Sequence, residues 1–347
     1  MASSHHNLKA STTTVLRKRE DQNVTTRYGI TVPFDGISLL DHRELIHEIA
    51  DLGYSDLWSL EVDGADAFSI LAFAAAIEPS LQLGTAIIPV YTRGPGLIAQ
   101  SAAALADLAP GRFTLGIGAS SPVIVERWNA ITYEKPFQRS RDTLRFLKQA
   151  LAGEKVDEEY ESFHIKGFRL SRPPATAPKI HLAALRAGML RLAGSEADGV
   201  ILNWLSANDV STVLAESGRA IEVTARVFVI PNENAEEARA LGRRMVAAYL
   251  NVAGYAAFQK WIGRGPQLEA MWEAWGAGDR KRALEVIPDQ VVDDLIIHGS
   301  YEQCRQHIQA YVNNGVTIPV LAITASGEQL RQAIRELSPD RFRTHLS

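Results

Sequence analysis

The 347 residues are 46% apolar and 22% charged, which are ordinary values for a folded soluble chain. A net charge of −4 with no basic stripe excludes a broad electrostatic footprint for nucleic acid, and no apolar run reaches the roughly 18 residues of a membrane span. Cys304 is the sole cysteine, so an intramolecular disulfide and a cysteine-based metal site are both excluded, and a reducing cytoplasmic setting is expected.

Residues 1–27 have no periodic apolar pattern and no signal-peptide core. They read as a disordered tail before a single domain over 28–347. His5-His6 offers a metal at most a pair, and no other histidines have zinc spacing, so no metal site is expected. The first strand signal is Tyr28–Phe34. Asp41 is expected to cap a helix through Leu52 that Gly53 ends. A second strand covers Asp56–Glu61, and Asp66 opens an apolar helix to Ile77. Strand three is Leu81–Pro89, followed by an alanine-rich helix from Pro95 to Leu108 and strand four at Phe113–Gly118.

A long helix is expected over Phe137–Leu151. Gly153–Pro178, which contains Pro173-Pro174, reads as a surface loop or hairpin. Strand five is Ile180–Ala184, a helix spans Gly188–Ala197, strand six is Gly199–Asn203 and strand seven is Val223–Ile230. A helical block covers Ala235–Val286. The last unit is a helix over Ser300–Asn313, then Gly315 and strand eight at Thr317–Ile323. Eight apolar strands separated by helices predict a parallel sheet closed as a TIM (β/α)₈ barrel. The roughly 80 residues between strands seven and eight exceed an ordinary barrel loop of 2–6 residues and predict a helical insertion near the active face.

Three segments go beyond a generic barrel. They are Leu83-Gly-Thr-Ala-Ile-Ile-Pro89 with Arg93-Gly-Pro-Gly-Leu-Ile-Ala99; Leu105-Ala-Asp-Leu-Ala-Pro-Gly-Arg-Phe-Thr-Leu-Gly-Ile-Gly118; and Ala183-Ala-Leu-Arg-Ala-Gly-Met-Leu-Arg-Leu-Ala-Gly194. In order and spacing the chain resembles the luciferase-like monooxygenase superfamily over residues 28–337, and specifically its coenzyme F420-dependent oxidoreductase branch. Ser120–Trp128 and Glu134-Lys-Pro-Phe137 resemble mycobacterial-type members of that branch.

The resemblance implies hydride transfer between F420, a 5-deazaflavin, and an organic substrate. The alternatives are an FMN-dependent monooxygenase using FMNH₂ and O₂, or a non-catalytic flavin-binding barrel. It implies a homodimer with a small-molecule substrate. It also places Ala86 and Ile87 at a non-prolyl cis peptide that bulges behind the ring. Phe34, Gly118, Ala119 and Ser120 are then candidates to line the cofactor, and Ala184, Leu185, Arg186, Ala187, Gly188 and Met189 to hold its phosphate at a helix N-terminus. Arg186 and Arg191 are candidates for the anionic tail, and Trp204 for a stacking contact. Relatives place Asp-His at the end of strand two; here Glu61 and Val62 stand there, so Glu61 is the catalytic candidate and the imidazole is missing. On its own residues, Glu61 reads equally as a proton-handling carboxyl or a salt-bridged barrel residue.

Overall fold

The computed structural model describes residues 26–343. Residues 1–25, including His5-His6 and most of the expected tail, lie outside the described residues. Arg27 does not belong to a disordered segment. Its amide donates to the Thr317 carbonyl at 3.0 Å and its guanidinium lies 3.4 Å from Asp56.

The strands are β1 (Gly29–Thr31), β2 (Asp56–Ser59), β3 (Gln82–Thr85), β4 (Ile88–Pro89), β5 (Phe113–Gly118), β6 (Val156–Glu159), β7 (His164–Phe168), β8 (Lys179–Ala183), β9 (Gly199–Asn203), β10 (Glu222–Ile230), β11 (Ile296–His298) and β12 (Ile318–Ile323). Parallel pairing runs β10-β12-β1-β2-β3-β5-β8-β9 and returns from β9 to β10, closing the expected eight-stranded barrel. β6 and β7 form an antiparallel hairpin outside it, the second of the two readings of Gly153–Pro178.

Helix boundaries follow local chemistry. Asp66 accepts from the amides of Phe68 and Ser69 and starts Ala67–Ile77. Pro95 occupies the first turn of Pro95–Leu108, where its missing N–H costs nothing. Ser300 and Gln303 form a capping box ahead of Tyr301–Asn313. Asp41 does not cap His42–Asp51. It is itself helical, and its carboxylate accepts from the Ser38 hydroxyl at 2.7 Å instead.

Two apolar layers result. One lies between barrel and helices. The other fills the barrel with Trp58, Ile201, Ile318 and Val320. Gly84 and Gly199 make the second layer possible: an added Cβ would fall 2.4 Å from the Trp58 and His181 rings, respectively. Cys304 belongs to the outer layer, and burial pushes its thiol up to about 12.

The insertion leaves the C-terminal end of β10 as the helices Ala235–Leu250, Ala253–Trp261, Gly265–Gly276, Arg280–Glu285 and Asp289–Leu295. It ends in β11, which the sequence pattern does not predict and which pairs with Phe228–Ile230 of β10. Its apolar faces pack on Trp204, Phe228, Ile230 and Ala322, so it roofs the ends of β9, β10 and β12.

Candidate active site at the barrel mouth

The C-terminal ends of the strands form the mouth, where barrel enzymes carry their chemistry. The apolar run read as one strand at Leu81–Pro89 is broken into β3 and β4, and the Ala86–Ile87 peptide between them is cis, as expected. Backbone bonds tie this break to the end of β2: the Ala86 amide donates to the Ser59 carbonyl at 2.6 Å, and the Glu61 amide donates to the Ile87 carbonyl at 3.2 Å. Gly118 lies beside it, where an added Cβ would meet Ala183 Cβ at 2.9 Å and Ile87 at 3.3 Å. Ala86, Gly118 and Ala183 thus leave a wall of small side chains. Ala119 and Ser120 follow β5, and Ser120 has a left-handed φ of 62°.

After β8 the chain enters the helix Ala187–Glu196. Arg186 is the N-cap, and its side chain has no acceptor to offer. The first intrahelical donor is Leu190, to the Arg186 carbonyl, so the amides of Ala187, Gly188 and Met189 have no intrahelical acceptor. Gly188 is exposed, and an added Cβ would meet nothing nearer than Phe137 at 3.8 Å. A helix start with free amides of this kind is suited to an anion. Arg186 is exposed, and its side chain makes no hydrogen bond or ion pair among the described residues. Arg191 is engaged by Glu216 at 2.8 Å, which removes it as a free cation for a tail.

Glu61 is held by Arg93, whose Nε and Nη2 donate to Oε1 at 3.0 and 2.8 Å; Nε also lies 3.1 Å from Oε2, and the Ala67 amide donates to Oε1 at 3.3 Å. Arg93 in turn stacks over Phe68 at 5.0 Å. Of the two readings of Glu61, the geometry matches the salt-bridged one. Arg93 stands in one of the sequence motifs, but its pairing with Glu61 spans a separation of 32 residues that no local pattern reveals. Glu61, Val62, Arg93, Leu97 and Ile124 line a cleft of about 360 Å³.

Three candidates are not open to a ligand through their side chains. Phe34 stacks on His42 at 5.9 Å, with its amide donating to that ring at 2.9 Å. Ala184 is buried in the outer layer. Trp204 is 1% exposed, 4.2 Å from the Phe228 ring and 4.9 Å from Tyr249; it seats the insertion and has no face free for stacking. Among the described residues no group of three or more metal-ligating side chains occurs, and no helix is long and apolar enough to cross a membrane.

Comparison with known proteins agrees with this geometry. A Mycobacterium tuberculosis protein provisionally named a coenzyme F420-dependent oxidoreductase is 26% identical over 322 residues, covering 84% of this chain and 92% of that one. The 5,10-methylenetetrahydromethanopterin reductase of Archaeoglobus fulgidus is 26% identical over 301 residues, covering 82% and 90%. The structure of coenzyme F420-dependent tetrahydromethanopterin reductase from Methanopyrus kandleri superposes with a TM-score of 0.75 at 21% identity, covering 93% of this chain and all of that one. The luciferase-like monooxygenase profile matches residues 16–317, and the chain belongs to that family.

Proposed function

We propose that this protein is an oxidoreductase that transfers a hydride between coenzyme F420 and an organic substrate. The observation that carries the reading is the uncapped N-terminus of Ala187–Glu196 opening beside a barrel mouth walled by Ala86, Gly118 and Ala183. The free amides of Ala187, Gly188 and Met189 suit a phosphate, and the small side chains leave room for a flat ring. F420-dependent relatives in the same family support the choice of cofactor.

When bound, the deazaflavin supplies or accepts the hydride at its C5 carbon. The chain's own residues bind, orient and exclude water. The helix terminus anchors the phosphate. Arg186 offers a cation to the anionic tail that distinguishes F420 from FMN. The Glu61–Arg93 pair positions the backbone that carries Ile87, through the bond from the Glu61 amide. The insertion shields the substrate side from solvent.

Titrating the purified protein with F420 and with FMN, at low and raised salt, tests the reading. Tighter F420 binding that weakens with salt is expected, because a charged tail contact is screened. Tighter FMN binding with oxygen consumption on adding FMNH₂ sinks it. A homodimer is also expected from the family resemblance; light scattering that returns the 38.0 kDa protomer mass removes it.

A further inference from the structure

Arg226 is the one charged residue in the mostly apolar run Val223-Thr-Ala-Arg-Val-Phe-Val-Ile230 of β10. Its register partners are Asn203 on β9 and Val320 on β12, and Val320 packs inside the barrel, so Arg226 faces inward. The guanidinium lies over the Phe228 ring at 4.9 Å. It has no hydrogen bond and no carboxylate within ion-pair distance among the described residues, and its buried Nε is without a partner. A cation turned into a barrel is costly unless something neutralises it.

Two further groups stand beside it. Asn203 donates from Nδ2 to the Tyr255 hydroxyl oxygen at 3.1 Å, while its buried Oδ1 has no partner. Tyr255 comes from the insertion helix Ala253–Trp261, and burial pushes its hydroxyl up to about 12. The hydroxyl is therefore protonated at neutral pH, and with its oxygen already accepting from Asn203 its hydrogen is free to donate. Arg226, Asn203 and Tyr255 are each partly open to solvent. The set offers a cation, a neutral donor and a neutral acceptor.

Topology says what the set faces. In the closed ring β10 and β3 are separated by three strands in either direction, so Arg226 lies across the mouth from the Ala86–Ile87 break. A ring seated against that break would have its other face toward the β10 side of the mouth, where Arg226 stands. The phosphate helix follows β8 and is elsewhere on the rim.

We infer that Arg226, Asn203 and Tyr255 form the substrate subsite, and that the substrate is a small carboxylate with a hydroxyl or N–H group next to its carboxyl carbon. The carboxylate takes the Arg226 and Tyr255 donors, and the neighbouring group donates to Asn203 Oδ1. A single guanidinium matches one negative charge, whereas a phosphate dianion would be left half compensated. The assignment rests on the cofactor reading only for calling the ligand a substrate; the binding chemistry stands on the residues alone.

The test uses the full chain, first without cofactor and then with saturating F420. Lactate and mandelate, with lactamide and mandelamide as uncharged counterparts, are titrated calorimetrically. The acids should bind about tenfold or more tightly than the amides, and Arg226→Met should lose about tenfold or more for the acids alone. Tyr255→Phe should weaken the acids several-fold, and it keeps the test alive if Arg226→Met fails to fold. F420 affinity should stay within about twofold in both variants. Equal binding of acids and amides, no binding of the acids, or acid affinity unchanged in the variants overturns the inference. Tighter binding of inorganic phosphate than of lactate overturns the carboxylate class. Weaker F420 binding in Arg226→Met assigns the cation to the cofactor and also overturns it. Failure of the unmutated protein to bind F420 counts against the cofactor reading and leaves the lactate result to be judged separately.

Discussion

Replacing Gly188 by Asp separates binding from stability. Gly188 is the second residue of Ala187–Glu196, is exposed, and offers an added Cβ only an ordinary contact with Phe137 at 3.8 Å. The substitution removes a helix glycine, worth about 0.5–1 kcal/mol. It also places a carboxylate at the positive end of the helix, worth about 0.3–1 kcal/mol. The thermal midpoint should hold or rise. A phosphate on the free amides would lie roughly 4 Å from the new charge, where two unit charges repel by about 4 kcal/mol at an effective dielectric near 20. Exposure and salt reduce this to about 1–2 kcal/mol, a loss of roughly 5- to 30-fold in F420 affinity. Gly188→Ala keeps the amides without the charge and should bind within about threefold of the unmutated protein. Fluorescence titration with F420 beside a melting curve reads both quantities. An Asp variant that is as stable as the parent and binds F420 within about twofold of it refutes the phosphate placement.

Glu61→Ala leaves Arg93 with the Phe68 ring and with Asp66, 3.5 Å away, and should cost about 1–3 kcal/mol in urea denaturation. A loss under about 0.3 kcal/mol would show that the pair does not hold the backbone beside Ile87. At the opposite end of the barrel, Glu222 is held down at about 2, chiefly by the bond with His181 and helped by Lys179, against an ordinary value of 4.5. A carboxylate with a depressed value contributes stability above the unfolded value and loses it as pH falls through the folded one. Glu222→Gln should therefore cost about 1–3 kcal/mol at pH 7, and its penalty should fade between about pH 4.5 and 2. A penalty constant over that range would mean that packing, not charge, is lost.

The barrel was readable because its strands are mostly apolar and its helices carry explicit start signals, as at Asp66, Pro95 and Ser300. The break at Ala86–Ile87 was readable only through family resemblance, since neither residue is unusual as chemistry; the phosphate placement at Ala187–Glu196 is proposed on the same resemblance and on the open helix start. β11 was missed because three residues, Ile296–His298, are too few to show a period. Asp41 was misread because its own backbone is helical and Ser38 occupies its carboxylate. Trp204 was misread because position after a strand says nothing about what roofs it. Asn203, Arg226 and Tyr255, the proposed subsite, do not stand out together in the sequence, although Arg226 is a charge in the middle of a mostly apolar strand. What could not be read is the insertion's contribution, because the Asn203–Tyr255 contact joins residues 52 apart.

The absent imidazole after β2 and the unpartnered arginine on β10 have a joint consequence for pH dependence. Val62 stands where the resemblance expects a histidine, and it lines the cleft beside Glu61. Two of the described histidines are committed elsewhere. His42 lies between the Ser38 carbonyl and the Phe34 amide, and His181 lies between Thr224 and Glu222 inside the barrel. Arg226 is a cation and not a base, and Tyr255 at about 12 can donate a hydrogen bond but cannot accept a proton near neutrality. Among the described residues, His298, at the end of β11 and bonded to Asp293 at 2.8 Å, brings an imidazole to the rim. Substrate turnover with F420 should therefore be flat in kcat between about pH 6 and 9, the range in which an ordinary histidine would bend it. A limb in that range that disappears in His298→Gln would show that the rim imidazole has taken over the missing role. A limb that survives in that variant would show that a proton-transfer group other than these acts at the mouth, and this account of its chemistry would then be wrong.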